Sequence, residues 1–175
     1  MEVSQSTVHN WVEQGLLKSW RTAGGHRRIA QSSLDAILAG RKRALQGAPK
    51  NFSILLVEDD PYLTKLYVSK VKKWSFAVDI VIAENGFEGL IQAGVQNPDL
   101  IIADLMMPDM NGFKMIDSLR QAEGLQQSRI VVVTSLTAEQ IAEQGQLPAD
   151  VAIFNKPVPF EKLRDIATEL RGHQK

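Results

Sequence analysis

Asp104 closes a short apolar run, Leu100-Ile101-Ile102-Ala103, and opens a loop, so that one carboxylate sits where another molecule can approach it. A run this short, bounded by turn-forming residues, reads as a strand covered on both faces in a parallel sheet. Such sheets keep their reactive groups outside the carboxyl ends of the strands. Three further runs end in the same way: Phe52–Val57 enters Glu58-Asp59-Asp60-Pro61, Arg129–Thr134 enters Ser135, and Val151–Asn155 enters Lys156-Pro157. One acid after a strand is commonly a helix N-cap. An acid pair, an Asp, a Thr and a Lys, each closing a different strand, form a constellation. Three carboxylates converging on one pocket repel one another, and a divalent cation with hard oxygen ligands, such as Mg²⁺, relieves the repulsion. It would also neutralise charge developing on a transferred phosphoryl group, with Lys156 as a cation and Thr134 as a hydroxyl donor. An acyl phosphate on Asp104 is the expected product.

The elements that must position these groups alternate strand and helix five times. Strands are expected near 52–57, 77–82, 99–104, 129–134 and 151–155. Helices are expected near 61–74, 86–96, 112–123, 137–146 and 159–171, the first turning Leu63, Leu66, Tyr67, Val71 and Trp74 inward. Pro108 and the Asn111-Gly112 turn re-aim the chain after Asp104. The alternation gives an α/β fold, a doubly wound parallel sheet with helices on both faces.

In order and spacing, Val57-Glu58-Asp59-Asp60, Asp104 with Met106-Met107-Pro108 and Gly112, Thr134-Ser135, and Lys156-Pro157 resemble the receiver domain of bacterial two-component response regulators. The resemblance covers residues 52–172 and implies a flavodoxin-like (βα)5 sheet of order 2-1-3-4-5. It implies a signalling protein rather than an enzyme, with Asp104 accepting a phosphoryl group from a sensor histidine kinase or phosphotransfer protein. Glu58, Asp59, Asp104 and the backbone carbonyl of Met106 would hold Mg²⁺, and Thr134, Ser135 and Lys156 would bind the phosphoryl group and switch. A cis Lys156-Pro157 bond and a homodimer formed on phosphorylation are also implied. The rival reading, a haloacid-dehalogenase-type phosphatase, wants a second Asp two residues after the nucleophile, where this chain has Met106. Receivers couple movement of the Thr to an aromatic three residues before the Lys; here Ile153 stands there, so residues 135–147 are expected to transmit the signal. Met106 and Leu136 occupy positions that commonly hold a hydrolytic water in the family. Being apolar, they are expected to cover the phosphoryl group and prolong its life.

The 175 residues leave room for a second, small module. Net charge is zero but divided: residues 1–50 hold eight Lys/Arg against three Asp/Glu, while residues 51–175 hold twelve against seventeen. A basic segment attracts phosphate, and an acidic one suits a cation pocket. Ser4 can cap a helix to Gln14 with Val8, Trp11 and Val12 on one face, leaving Gln5, Ser6, His9 and Asn10 able to reach base edges. Leu16–Arg21 and His26–Ile29 read as two strands around a Gly24-Gly25 tip, a hairpin whose Arg21, His26, Arg27 and Arg28 suit a phosphate backbone. Ser32 opens a last helix to Ala39. Residues 3–38 resemble the winged helix-turn-helix of MerR/excisionase-type DNA-binding domains, which implies duplex DNA as a partner. Only Met1-Glu2-Val3 precede the cap, too few for the family's first helix. Either the native start lies upstream, or the module borrows packing from a partner.

The expected organisation is thus a helix-turn-helix lacking its first helix at 1–39, a linker at 40–51, and a receiver at 52–172. A receiver-type adaptor working by protein contacts without DNA is the alternative. No cysteine is present, so disulfides and thiol chemistry are excluded. No stretch is long and apolar enough for a membrane span, and a cytoplasmic location is expected.

Overall fold

Five apolar runs pair in parallel to build the larger part of the protein, in a computed structural model that describes residues 19–21, 27–29, 51–107, 111–122 and 125–173. By its contacts the chain divides into two units, residues 1–48 and 49–175.

In the first unit, β1 (Ser19–Arg21) and β2 (Arg27–Ile29) form the expected antiparallel hairpin, with Ser19 opposite Ile29, Trp20 opposite Arg28 and Arg21 opposite Arg27. Gln5, Ser6, His9, Asn10 and His26, and the helices expected at 4–14 and 32–39, lie outside the described residues.

In the second unit the order is β3 (Phe52–Val57), α1 (Pro61–Val71), β4 (Val78–Ala83), α2 (Gly86–Gln96), β5 (Leu100–Ala103), α3 (Gly112–Gln121), β6 (Arg129–Thr134), α4 (Ala138–Gln144), β7 (Ala152–Asn155) and α5 (Phe160–Gly172). The sheet runs β4-β3-β5-β6-β7, the 2-1-3-4-5 order, with every pairing parallel. Alternation along the strands divides the core. Leu55, Val57, Ile101, Ala103, Ile130 and Val132 pack against Ala93 of α2, Met115, Ile116 and Leu119 of α3, and Ile141 of α4. Ile54, Leu56, Leu100, Ile102, Val131 and Val133 meet Tyr67 and Val71 of α1, and Leu163 and Ala167 of α5. A one-residue slip of any central strand would exchange the two sets, so burial fixes the register.

Side chains fasten the amino end of the sheet. The Ser53 amide and hydroxyl donate to Asp99 Oδ2 at 2.7 and 2.8 Å, and Ser128 Oγ donates to the Pro98 carbonyl at 2.7 Å. Caps start the helices: Asp60 accepts from Tyr62 N and Leu63 N ahead of Pro61 at the first turn, Asn85 accepts from Glu88 N, and Asn111 accepts from Phe113 N. Asp60, the third acid of the 58–60 run, is therefore a cap.

Three expectations need correction. α1 ends at Val71, and Trp74 packs against the core from the turn that follows, beside Phe76. Leu66 is exposed, because the inner stripe of α1 runs through Tyr67 and Val71 and leaves it on the flank. β4 begins one residue later than expected; it is an edge strand whose half-buried pattern marks its ends weakly.

Gly112 opens α3 against the loop that follows β5. A Cβ there would lie 2.6 Å from the Asp104 carbonyl oxygen and 2.7 Å from Leu105 Cα, both backbone atoms that cannot turn aside. At Gly89 the tightest neighbour, at 2.8 Å, is the Met115 sulfur, the far end of a flexible side chain. Gly112→Ala is expected to cost roughly 3 kcal/mol through overpacking and Gly89→Ala roughly 1 kcal/mol. Urea unfolding measures both, and equal losses would refute the backbone-contact argument.

Candidate functional site

Backbone pairing continues one residue past the strands, and that extra step places the acids. Glu58 N donates to Ala83 O at 3.1 Å, and Asp104 N donates to Val57 O at 3.1 Å, so both carboxylates leave the same end of the sheet from adjacent strands. At the neighbouring pair Thr134 is in register with Asn155, and Lys156 N donates to Thr134 O at 2.8 Å. The Lys156-Pro157 peptide is cis.

Three of the expected groups meet directly. Lys156 Nζ lies 2.7 Å from Asp104 Oδ2 and 3.0 Å from Glu58 Oε2. Glu58 is 3% exposed and Asp104 5%, so the ammonium bridges two buried acids. Backbone amides take the other oxygens: Met106 N donates to Asp104 Oδ1 at 3.0 Å, and Asp60 N to Glu58 Oε1 at 3.3 Å. Burial holds the Glu58 carboxyl above the usual carboxylate range, and the nearby Asp104 charge adds to the rise; the Lys156 bond and charge and the Asp60 amide offset part of it. Burial alone would lower Lys156, but its hydrogen bonds to Asp104 and Glu58 outweigh that and leave the ammonium more basic than usual.

The other expected residues differ in placement. Asp59 and Ser135 are exposed, while Thr134 is fully buried, its Oγ1 accepting from Leu136 N at 3.4 Å. Met106 is exposed, and its backbone amide is the group that meets Asp104. Leu136 is not a covering residue here. Its side chain is buried in the core cluster with Phe113 and Ile141, because the Thr134–Leu136 turn directs it under α4.

Sequence reasoning missed two residues beside the site. Tyr67 is buried on the inner stripe of α1, and burial pushes its hydroxyl well above the ordinary tyrosine range, with the charges of Glu58 and Asp104 adding to the effect. A hydroxyl-bearing aromatic on the helix that follows the acids was the available signal. Asn155, immediately before Lys156, donates from Nδ2 to Leu136 O at 2.7 Å. A polar residue closing an otherwise apolar strand could have marked it.

Two nearly buried carboxylates on adjacent strands, with a third acid in the same turn, supply the hard oxygen donors that a small divalent cation prefers, and Asp59 leaves an exposed side for retained water. These oxygens are of the kind Mg²⁺ takes, but no group of three or more acidic or other ligating side chains placed to hold a metal ion occurs among the described residues. The same geometry makes Lys156 a resident counter-ion. Lys156→Met is expected to lower stability by roughly 3 kcal/mol, the low end for removing one partner of a buried ion pair, and millimolar Mg²⁺ should restore most of the loss. Urea midpoints with and without Mg²⁺ test this; an unchanged midpoint in the variant would show that the ammonium does not hold the acids together.

Comparison with known proteins agrees with this arrangement. Residues 54–168 match the family model of the response regulator receiver domain, and residues 1–42 match that of a helix-turn-helix domain. The probable C4-dicarboxylate response regulator DctR of Priestia megaterium is 29% identical over 125 residues, 71% of this chain and 54% of that protein. Protein PilH of Pseudomonas aeruginosa is 28% identical over 110 residues, 63% of this chain and 89% of that protein. The solved signal receiver domain of a DNA binding response regulator protein (merR) from Colwellia psychrerythraea superposes with a TM-score of 0.62 at 26% identity, covering 70% of this chain and 99% of that one. Several of the curated relatives, DctR among them, are spanned by this chain over only about half their length. Five parallel strands in 2-1-3-4-5 order, with two acids and a lysine joined at their carboxyl ends, accompany a family match over two thirds of the sequence, and the chain belongs to the response regulator receiver family, with a helix-turn-helix sequence ahead of the receiver.

Proposed function

We propose that this chain is a phosphorylation-controlled, DNA-binding transcription regulator of the cytoplasm. Its receiver takes a phosphoryl group on Asp104 from a histidine kinase or phosphotransfer protein. The observation that carries the reading is the Asp104 carboxylate at the end of β5, bridged by the Lys156 ammonium to Glu58. In the transfer, an Asp104 carboxylate oxygen bonds to phosphorus while the P–N bond of the donor phosphohistidine breaks, leaving its electron pair on the imidazole nitrogen. Glu58, Asp59, Asp104 and the Met106 carbonyl would hold Mg²⁺, which when bound would supply charge neutralisation for the transfer. Lys156 exchanges its bond to Asp104 Oδ2 for one to a phosphoryl oxygen, and Thr134 and Ser135 provide hydroxyl donors.

The DNA reading rests on the helix-turn-helix match at residues 1–42 and on the hairpin register. Arg21 is in register with Arg27 in this hairpin, and the sequence adds Arg28 beside them. Phosphate of a nucleic acid backbone is an anion that such a group attracts. Gln5, Ser6, His9 and Asn10 would read bases, and His26 and Arg28 would add contacts from the hairpin. The adaptor reading keeps one support: 110 residues of this chain, a length the receiver can supply, cover 89% of PilH.

Full-length protein incubated with a small acyl phosphate and Mg²⁺ should take up label, and Asp104→Asn or chelation should abolish it. Label retained in Asp104→Ala would show that the site is misplaced. Binding of the same protein to duplex DNA should weaken with salt at a log–log slope of about −0.9 per phosphate neutralised; no binding at low salt would leave the adaptor. Met106→Asn should shorten the life of the phosphoryl group several-fold, because Met106 is the exposed apolar residue whose amide meets Asp104. An unchanged rate of phosphate loss would acquit Met106.

A further inference from the structure

Asn155 stands between the acid cluster and the loop that follows Thr134. Its backbone is in register with Thr134 at the end of the β6–β7 pair, and its side-chain amide reaches the Leu136 carbonyl at 2.7 Å. Its chain neighbour Lys156 reaches the opposite way, to Asp104 and Glu58. One dipeptide therefore touches the acids through Nζ and the loop after Thr134 through Nδ2.

That loop is short and closed at both ends. Leu136 N donates to Thr134 Oγ1, and Thr137 caps α4 through a reciprocal capping box with Gln140. Beyond α4, Asp150 is tied to Arg120 of α3 by an ion pair, which fixes the approach to β7. Between Thr134 and Thr137 only Ser135 and Leu136 are left to move, and the Leu136 carbonyl is held by Asn155. The buried Thr134 hydroxyl is turned to its own loop, in contact with Leu136 N. Turning that hydroxyl to an oxygen on Asp104 draws Ser135 and Leu136 with it, and the 2.7 Å bond from Asn155 opposes the movement.

We infer that Asn155 is a positioning residue, a latch whose side-chain amide holds the Leu136 carbonyl and keeps the 135–137 loop in its resting place until Asp104 is phosphorylated. This rests on the proposed role of Asp104 and adds to it the contact that sets the threshold of the switch. Ile153 and Phe154 do not duplicate it. Ile153 is an exposed aliphatic residue, and Phe154 packs against the cluster of α1 and α5 with Lys162 Nζ 5.4 Å from its ring centre.

The test uses the full chain with Mg²⁺ and beryllofluoride, a phosphoryl mimic, comparing wild type with Asn155→Leu, which keeps the shape and loses the donor, and with Asn155→Ala. Both variants should bind beryllofluoride about fivefold more tightly, the ratio that one neutral hydrogen bond of ordinary strength supplies. Without ligand, amide exchange at residues 136–144 should quicken by a similar factor while the strands stay protected. A merely structural asparagine would lower the melting temperature and leave beryllofluoride affinity unchanged, and that result overturns the latch. Wild type that does not bind beryllofluoride at all fails the Asp104 reading and the latch with it. Wild type that binds, with variants that bind no better, fails the latch alone.

Discussion

Two buried carboxylates and one ammonium set the terms for the rest of the receiver. Glu58 and Asp104 come from adjacent strands, and without Lys156 their charges would repel in a setting that screens them poorly. The raised Glu58 carboxyl reflects its burial first, with the Asp104 charge a smaller addition that Lys156 and the Asp60 amide offset in part. The cluster is sensitive to whatever changes the charge on Asp104, because Lys156 is shared.

The sheet makes that arrangement reproducible. Val57 pairs with both Ala83 and Ala103, so the three strands end level and the next residue of each is an acid, Glu58 and Asp104 buried and Glu84 exposed. At the other end the Ser53–Asp99 clasp and the Ser128 bond to Pro98 hold the same strands without touching the site. Stability and reactivity are thereby separated by the length of a strand, which lets the carboxyl end stay polar and strained by charge while the amino end and the two apolar layers hold the register.

The strands were legible because both faces are buried: uninterrupted runs such as Leu100–Ala103 leave little doubt where a central parallel strand lies. Glu58, Asp104 and Thr134 were legible for the same reason, as polar residues stopping those runs, and Lys156 by the Lys-Pro step after the last strand. Edges were not. β4 keeps only a half-buried pattern, and the stripe of α1 could be drawn through Leu66 or beside it until packing chose Tyr67 and Val71. Leu136 escaped because its placement depends on backbone direction in a two-residue turn, which side-chain type does not specify, and Asn155 because the acceptor its amide finds is a carbonyl in that turn. Leu136 was assigned to the pocket by its distance from Thr134, yet the turn carries it into the core and offers its carbonyl to Asn155 instead.

α4 is where site chemistry has the greatest mechanical reach. It is two turns long, and Ile141 is its one buried residue, whereas α3 buries five. A helix that short has little stability of its own and takes its position from what fixes its ends. The capping box keeps its first turn intact, so displacement of the preceding loop moves the helix as a unit rather than unravelling it. The Ile141 contact is apolar and tolerates a sliding shift better than a directional bond would. Charge at Asp104, the short loop after Thr134 and a weakly anchored helix are thus arranged in series, and a change of one bond at the acid end can reposition a surface at the other.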